Sequence, residues 1–337
     1  MSLCSIQDQC GGCPRMSDTL SAQREHRIAR VSKLLNVPIA ELIEAPETEG
    51  YRARIEMTPG PDGRLGYRSH RSHSSVAVDR CAVARPEINA LIPKIGNVPS
   101  FIQRVALRSD GTSVSMHIRC KDKHRNRAQN WMKSMEHLNV PLALNGRGVY
   151  LDPSIRLKVS GILHKLSPST FYQVNLSINE RLVADVVETV LDLKPSGVLD
   201  LFSGAGNFSL PLAKAGIKVT LIEAHPTATK DARKTAERLG LQADIRTASA
   251  DHFQAGDAFF DVAILDPPRK GAGPVIDQVL TTRPRAVVLI SCNPRTLASD
   301  LQRAKQHGYF MKEVRLYEMF PHTDHVESMG VLVRAEN

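Results

Sequence analysis

Apolar positions change their spacing partway along this chain. Between about residues 50 and 165 they sit in short runs, YRARIEMT, GRLGYRS, SSVAVDRC, VALRSD, SVSMHIRC, GVYLD and IRLKVSG, with Gly, Asp and Pro between them. Closely spaced runs punctuated in this way predict a small antiparallel β domain. From about residue 175 the period lengthens. Leu182, Val183, Val186, Val187, Val190 and Leu191 recur at helical spacing, which predicts an amphipathic helix in INERLVADVVETVLDL. Strand-like runs follow, GVLDLF, KVTLIE, ADIRTA, FDVAILD and AVVLIS, with helical patterns such as ATKDARKTAERLG between several of them. Such alternation predicts a parallel, doubly wound α/β sheet. No internal repeat is evident.

Ligands of such sheets bind at the carboxyl ends of the strands, so the strand ends carry the chemistry. Asp200 closes the first run, and Gly204 and Gly206 in LDLFSGAGNFSLPLA allow a tight turn to which a ligand can come close. A lone Gly-x-Gly is equally consistent with a mere turn. The second run ends at Glu223, where a carboxylate can take both hydroxyls of a ribose. The fourth ends in LDPPRKG. Two prolines cannot donate to a ladder, so the chain leaves the sheet rigidly and fixes Asp266 at the cleft. The fifth ends at Cys292, followed by Asn293-Pro294. A cysteine used as apolar filler belongs inside such a run, so Cys292 reads as a thiol presented to the same rim. A thiol, a Pro-fixed Asp and two carboxylates beside a glycine turn suit S-adenosylmethionine-dependent methyl transfer to a pyrimidine carbon. There a thiolate adds at C6, C5 takes the methyl group, and a base removes the C5 proton.

Composition narrows the setting. The chain has 337 residues, enough for two domains each with its own core. Apolar content of 42% without long biased tracts is that of a soluble globular protein, and the longest apolar runs are strand-sized, so no membrane span is expected. The opening MSLCSIQDQCGGCPR lacks a basic start followed by an apolar stretch, so no secretory signal is expected and the setting reads as cytoplasmic and reducing. The six cysteines then serve metal binding or catalysis rather than disulfides. A net charge of +9 and a sequence pI near 9.3 favour an anionic partner such as nucleic acid, although solvated lysines alone give the same balance.

LDLFSGAGNFSLPLA, LDPPRKG, ISCNPRTLASDL, MFPHTDHVESM and the upstream SPSTFYQVN resemble the motifs of the RNA uracil-C5 methyltransferases, the TrmA/RlmC/RlmD family. The resemblance runs from about residue 165 to the end and includes the cysteine head; it is thin between them. It implies that Gln173, Phe202, Asn207, Glu223 and Asp266 hold S-adenosyl-L-methionine, that Cys292 is the nucleophile, and that Glu327 is the base. His325 and Glu327 are two apart, so in an extended segment they share a side, but one histidine is as often a structural residue as a base.

Cys4, Cys10 and Cys13 form C-x5-C-x2-C, with Cys81 far downstream. From spacing alone zinc and an iron–sulfur cluster are rivals; the resemblance implies a [4Fe-4S] cluster that pins the head to the β domain. Cys120 is expected to be structural. The expected architecture is α/β: a C-terminal Rossmann-like methyltransferase domain (166–337), a small antiparallel β RNA-binding domain (50–165) and an N-terminal iron–sulfur head (1–85) entering it. The implied partner is RNA, rRNA first and tRNA second, bound by a monomer. Two patches could pair with phosphates, Arg64, Arg68 and Arg71, and Lys121, Lys123, Arg125 and Arg127, and each could be only a solvated turn. The cysteines begin at residue 4, so the TRAM barrel that opens larger members is expected to be missing, as in the shorter RlmC-like enzymes. Ala53 stands where the family often has Asn. Two other readings remain: an amino-group methyltransferase using the Asp-Pro-Pro motif, and a non-catalytic RNA-binding protein with a structural metal.

Overall fold

Strand Ala286–Ser291 is buried along its whole length, because helices cover both faces of the sheet around it. Val287 and Leu289 face one core with Leu199, Leu201, Val275 and Leu297. Val288 and Ile290 face the other with Ile178, Leu182 and Val186 of the long helix Leu176–Asp192. This two-sided burial explains why these strands read as continuous apolar runs rather than as an alternation.

The computed structural model describes residues 3–69, 74–254, 256 and 260–335. Eight strands form the main sheet in the order Glu41–Ile43, Tyr309–Tyr317, Glu327–Arg334, Ala286–Ser291, Val262–Leu265, Val198–Leu201, Val219–Glu223 and Asp244–Thr247. The last five are mutually parallel. The sheet is nevertheless mixed, contrary to the all-parallel expectation. Glu327–Arg334 runs antiparallel to both its neighbours, because residues 318–326 return the chain directly without a crossover helix. Glu41–Ile43 joins from the N-terminal side, parallel to Tyr309–Tyr317.

Helix Leu20–Leu35 had no apolar signature in the sequence. Its inner stripe is Gln23, Arg27, Val31 and Leu35, half of it polar, so the usual period is hidden. It starts at Thr19, whose hydroxyl accepts the Ala22 N–H at 3.2 Å, and it packs on helix Pro294–Gln306.

A second sheet has seven strands, in the order Ser75–Ala77, Leu65–Arg68, Arg54–Pro59, Ile102–Ser109, Val114–Cys120, Leu142–Leu144 and Arg147–Tyr150. It is antiparallel except between Val114–Cys120 and Leu142–Leu144. It has its own core, built on Ile55, Met57, Val105, Leu107, Met116 and Ile118. A separate hairpin, Ile155–Val159 with Ile162–Leu166, lies against helix Pro226–Leu239 of the main sheet. Among the described residues no helix is long and apolar enough to cross a membrane.

Candidate active site

Cys292 stands between a strand and a helix. Asn293 caps helix Pro294–Gln306, its side chain accepting from the Arg295 N–H at 3.2 Å, and Pro294 occupies the first turn. The Asn-Pro pair therefore ends the strand and starts the helix within two residues, leaving the half-buried thiol at the positive end of the helix. The Asn293 amide also donates to the Arg269 carbonyl at 3.2 Å, tying this turn to the loop after Asp266. A second tie comes from buried Asp300 on the helix, whose carboxylate accepts the Ala272 and Gly273 N–H groups at 2.9 and 3.0 Å.

The antiparallel register supplies the partner of the thiol. Ser291 pairs with Ser328, and one step further along the same register Cys292 stands opposite Glu327. Glu327 is only 2% exposed. Burial first, and then the neighbouring Asp266 carboxylate, push its pKa well above the usual carboxylate range; Arg269 opposes this. Burial likewise raises Cys292, followed by Glu327 and Asp266, again with Arg269 opposing. The rim is a desolvated acidic cluster with Arg269 as its nearby cation. Sequence reading missed Arg269; its only signal was its place directly after Asp-Pro-Pro.

Asp266 follows strand Val262–Leu265, its N–H donating to the Leu201 carbonyl at 3.4 Å. Part of its surface faces the cleft, while the surrounding protein desolvates it and, with Glu223, raises its pKa. Asp200 lies fully buried below. One oxygen accepts the Ser209 hydroxyl at 2.7 Å, the other has no hydrogen-bond partner among the described residues, and burial lifts its pKa to about 8. Glu223 accepts the Gly204 N–H at 3.0 Å and the His225 N–H at 2.7 Å. Each oxygen keeps a second lone pair for a ligand hydroxyl.

The turn between Asp200 and Glu223 is conformationally specific. Gly206 has φ +82°, and a Cβ there would lie 2.6 Å from Leu210 Cγ, so only glycine fits. Phe202 has φ +61°, an unusual conformation for an aromatic residue and one that marks functional turns. Asn207 exchanges two hydrogen bonds with Asn179 of the long helix, at 3.0 and 3.2 Å. Phe202, Asn207, Glu223 and Asp266 thus come from one end of adjacent parallel strands. Gln173 lies on the segment leading into the long helix, between Tyr172, which packs in one cluster with Ala205 of the glycine turn, and the helix cap Asn175. His325 is exposed and stacks edge-on to Phe320 at 5.9 Å, whereas Glu327 is buried. It precedes the strand, so the period-two argument does not reach it.

Cys4, Cys10, Cys13 and Cys81 line one cavity of about 410 Å³, and none of the four is in a disulfide among the described residues. The head is tied to the second sheet by a bridge between Cys10 and Ser69 and by the Gly11 N–H donating to the Arg68 carbonyl at 3.4 Å. Asn89 fixes Cys81 by bonding both its N–H and its carbonyl. Burial and the nearby Cys81 sulfur push Cys13 up to about 12, against Arg52. Four thiols that repel one another as thiolates fit a site completed by a cationic centre. Among the described residues no group of three or more His, Cys, Asp or Glu has the spacing of an ion-binding set. Cys120 is 5% exposed in the core of the second sheet.

Of the expected phosphate contacts, Arg64 is paired with Asp79 at 2.8 Å, Arg68 is exposed beside the cysteine cavity, and Arg71 lies outside the described residues. Lys121, Lys123 and Arg127 are exposed, Arg125 is partly so, and Arg127 covers the Phe101 ring at 4.3 Å. Ala53 is fully buried; its carbonyl accepts the Tyr172 hydroxyl at 2.8 Å.

A mixed sheet with acidic residues and a glycine turn at its strand ends defines an α/β methyltransferase. In fold it is similar to the Pyrococcus abyssi tRNA (uracil-54, C5)-methyltransferase solved with S-adenosyl-L-homocysteine, with a TM-score of 0.77 and 24% identity over 96% of this chain and 86% of that one. The family model described as tRNA (Uracil-5-)-methyltransferase matches residues 17–336. Two 23S rRNA (uracil(1939)-C(5))-methyltransferases RlmD, from two strains of Klebsiella pneumoniae, are each 31% identical over 96% of this chain and 80% of their own length. The chain belongs to the RNA uracil-C5 methyltransferase family and is an S-adenosylmethionine-dependent enzyme of that class.

The electrostatics give a test in the absence of ligand. Glu327 is the largest charge raising Cys292, so Glu327→Gln lowers the thiol pKa. Alkylation of Cys292 by iodoacetamide, followed by mass spectrometry between pH 6 and pH 10, is expected to shift to lower pH and to run several-fold faster at pH 7.5 in the variant. An unchanged profile contradicts the pairing of the two groups.

Proposed function

We propose that the chain methylates C5 of a uridine in 23S rRNA, using Cys292 as a covalent nucleophile and Glu327 as the base. The observation that carries this is the sheet register, which sets the thiol opposite the buried carboxylate at the end of one antiparallel pair. The Cys292 sulfur forms a bond to C6 of uracil, and the ring electrons move to C5 and O4. S-adenosylmethionine supplies an electrophilic methyl group, which C5 takes up as the S–CH3 bond breaks and S-adenosylhomocysteine leaves. Glu327 then accepts the C5 proton, the C5–C6 double bond reforms, and the thiolate leaves. Its raised pKa makes Glu327 a stronger proton acceptor than an exposed glutamate. Glu223 and Asp266, with Phe202, Asn207 and Gln173, are the residues proposed to hold S-adenosylmethionine. The target uracil must leave its stack to reach the rim.

The RNA assignment rests on the RlmD relatives, and tRNA is the second candidate because of the P. abyssi enzyme. Mass-spectrometric mapping of 5-methyluridine in a deletion strain is expected to show one site lost from 23S rRNA. Loss from tRNA alone moves the target there.

The chemistry predicts separable steps. Cys292→Ala forms no covalent adduct with RNA. Glu327→Gln still adds its thiol and takes the methyl group, then stalls as a methylated protein–RNA adduct, visible as a slow band on a denaturing gel. Normal turnover by Glu327→Gln removes Glu327 as base, and full methylation by Cys292→Ala favours an amino-group methyltransferase instead.

The four-thiol cavity is proposed to hold a [4Fe-4S] cluster. What supports a sulfur-bound centre is that all four cysteines line one cavity; the choice of a cluster over zinc rests on the family resemblance. Anaerobically purified protein is expected to be brown, with about four irons per chain. Stoichiometric zinc without visible absorbance overturns this.

A further inference from the structure

Tyr317 and Glu327 close the ladder between strands Tyr309–Tyr317 and Glu327–Arg334, a junction that a turn of about two residues could make. Residues 318–326 make it instead, and most of them are buried: Glu318 and Met319 are 0% exposed, His322 3% and Thr323 5%. A buried connection carries backbone groups that need partners. Here helix Leu20–Leu35 and the turn before it supply them. Arg27, also 0% exposed, pairs with Glu318 at 2.7 Å and donates to the carbonyls of Thr323 at 2.9 Å and Phe320 at 3.3 Å. The Gln23 side chain accepts the His322 N–H at 2.8 Å and donates back to the Arg15 and Asp18 carbonyls at 2.9 and 3.0 Å.

A buried ion pair is weak evidence for stability, since apolar residues of equal volume often serve as well, so its value lies elsewhere. Glu327 is the first residue of its strand, where pairing is least secure. The sheet register fixes it from one side only. We propose that Arg27 and Gln23 are positioning residues for Glu327: they lock residues 318–326 so that the carboxylate is held where the C5 proton appears. Neither touches the reacting atoms, and the proposal rests on the reading of Glu327 as base.

Arg27→Lys keeps the charge on Glu318 but loses the planar fork that reaches two carbonyls as well. With RNA and S-adenosylmethionine, this variant is expected to add its thiol and transfer the methyl group at the wild-type single-turnover rate. It then accumulates the methylated adduct, with kcat down about tenfold and kcat/KM for S-adenosylmethionine unchanged. A purely structural lesion slows all steps together and accumulates nothing. Gln23→Ala leaves the Arg27–Glu318 pair in place and is expected to accumulate the adduct to a smaller extent, which covers insolubility of Arg27→Lys. Glu327→Gln runs on the same gel. Adduct with Glu327→Gln but with neither helix variant overturns the positioning role alone; no adduct with any of the three overturns the base assignment, and the positioning role with it.

Discussion

The register between Ala286–Ser291 and Glu327–Arg334 is the constraint on which the rest of the site depends. Every other member of the main sheet's catalytic edge arrives by a parallel strand, and parallel strands deliver residues to one end. An antiparallel strand delivers its first residue to that same end. Reversing one strand therefore lets a residue near the C-terminus face a thiol that ends the preceding strand, with no loop between them to loosen the geometry. A one-residue slip would turn Glu327 to the opposite face of the sheet. Burial of both faces makes such a slip costly, because it would expose Met329, Val331 and Leu332 in their wrong environments.

The electrostatics follow from this convergence. Asp200, Asp266 and Glu327 all rise above the carboxylate range, chiefly through burial and then through neighbouring carboxylates, Asp266 for Asp200 and Glu327, and Glu223 for Asp200 and Asp266. A desolvated cluster of acids favours a cation at its edge, and a sulfonium is one. Burial, and then Glu327 and Asp266, also raise Cys292. Arg269 and the helix that begins at Pro294 act in the opposite direction. The balance makes nucleophilicity depend on what occupies the rim.

The N-terminal segment has two attachments that distribute its role. Its cysteines face the second sheet through Cys81 and the bridge at Ser69, and its helix faces the main sheet through Arg27 and Gln23. One short stretch of chain thereby holds the connection before Glu327 and the second sheet in a common frame.

Much of this was legible in the sequence because it depends on local rules. Continuous apolar runs marked the parallel strands, since burial on both faces removes any alternation. Asp-Pro-Pro and Asn-Pro marked strand exits, since proline cannot continue a ladder. Three cysteines at short spacing marked a sulfur site, and only the fold shows Cys81 lining the same cavity. What the sequence did not carry was whatever depends on pairing between distant segments. The helix Leu20–Leu35 was hidden because its inner face is polar, and polar residues face inward only when a partner such as Glu318 waits for them. The reversed strand was hidden because its apolar run looks the same in either direction. The opposition of Cys292 and Glu327, the acidic rather than basic rim, and the role of Arg269 were decided by tertiary structure alone. Register, desolvation and charge proximity are properties of folded neighbours, and no run of residues contains them.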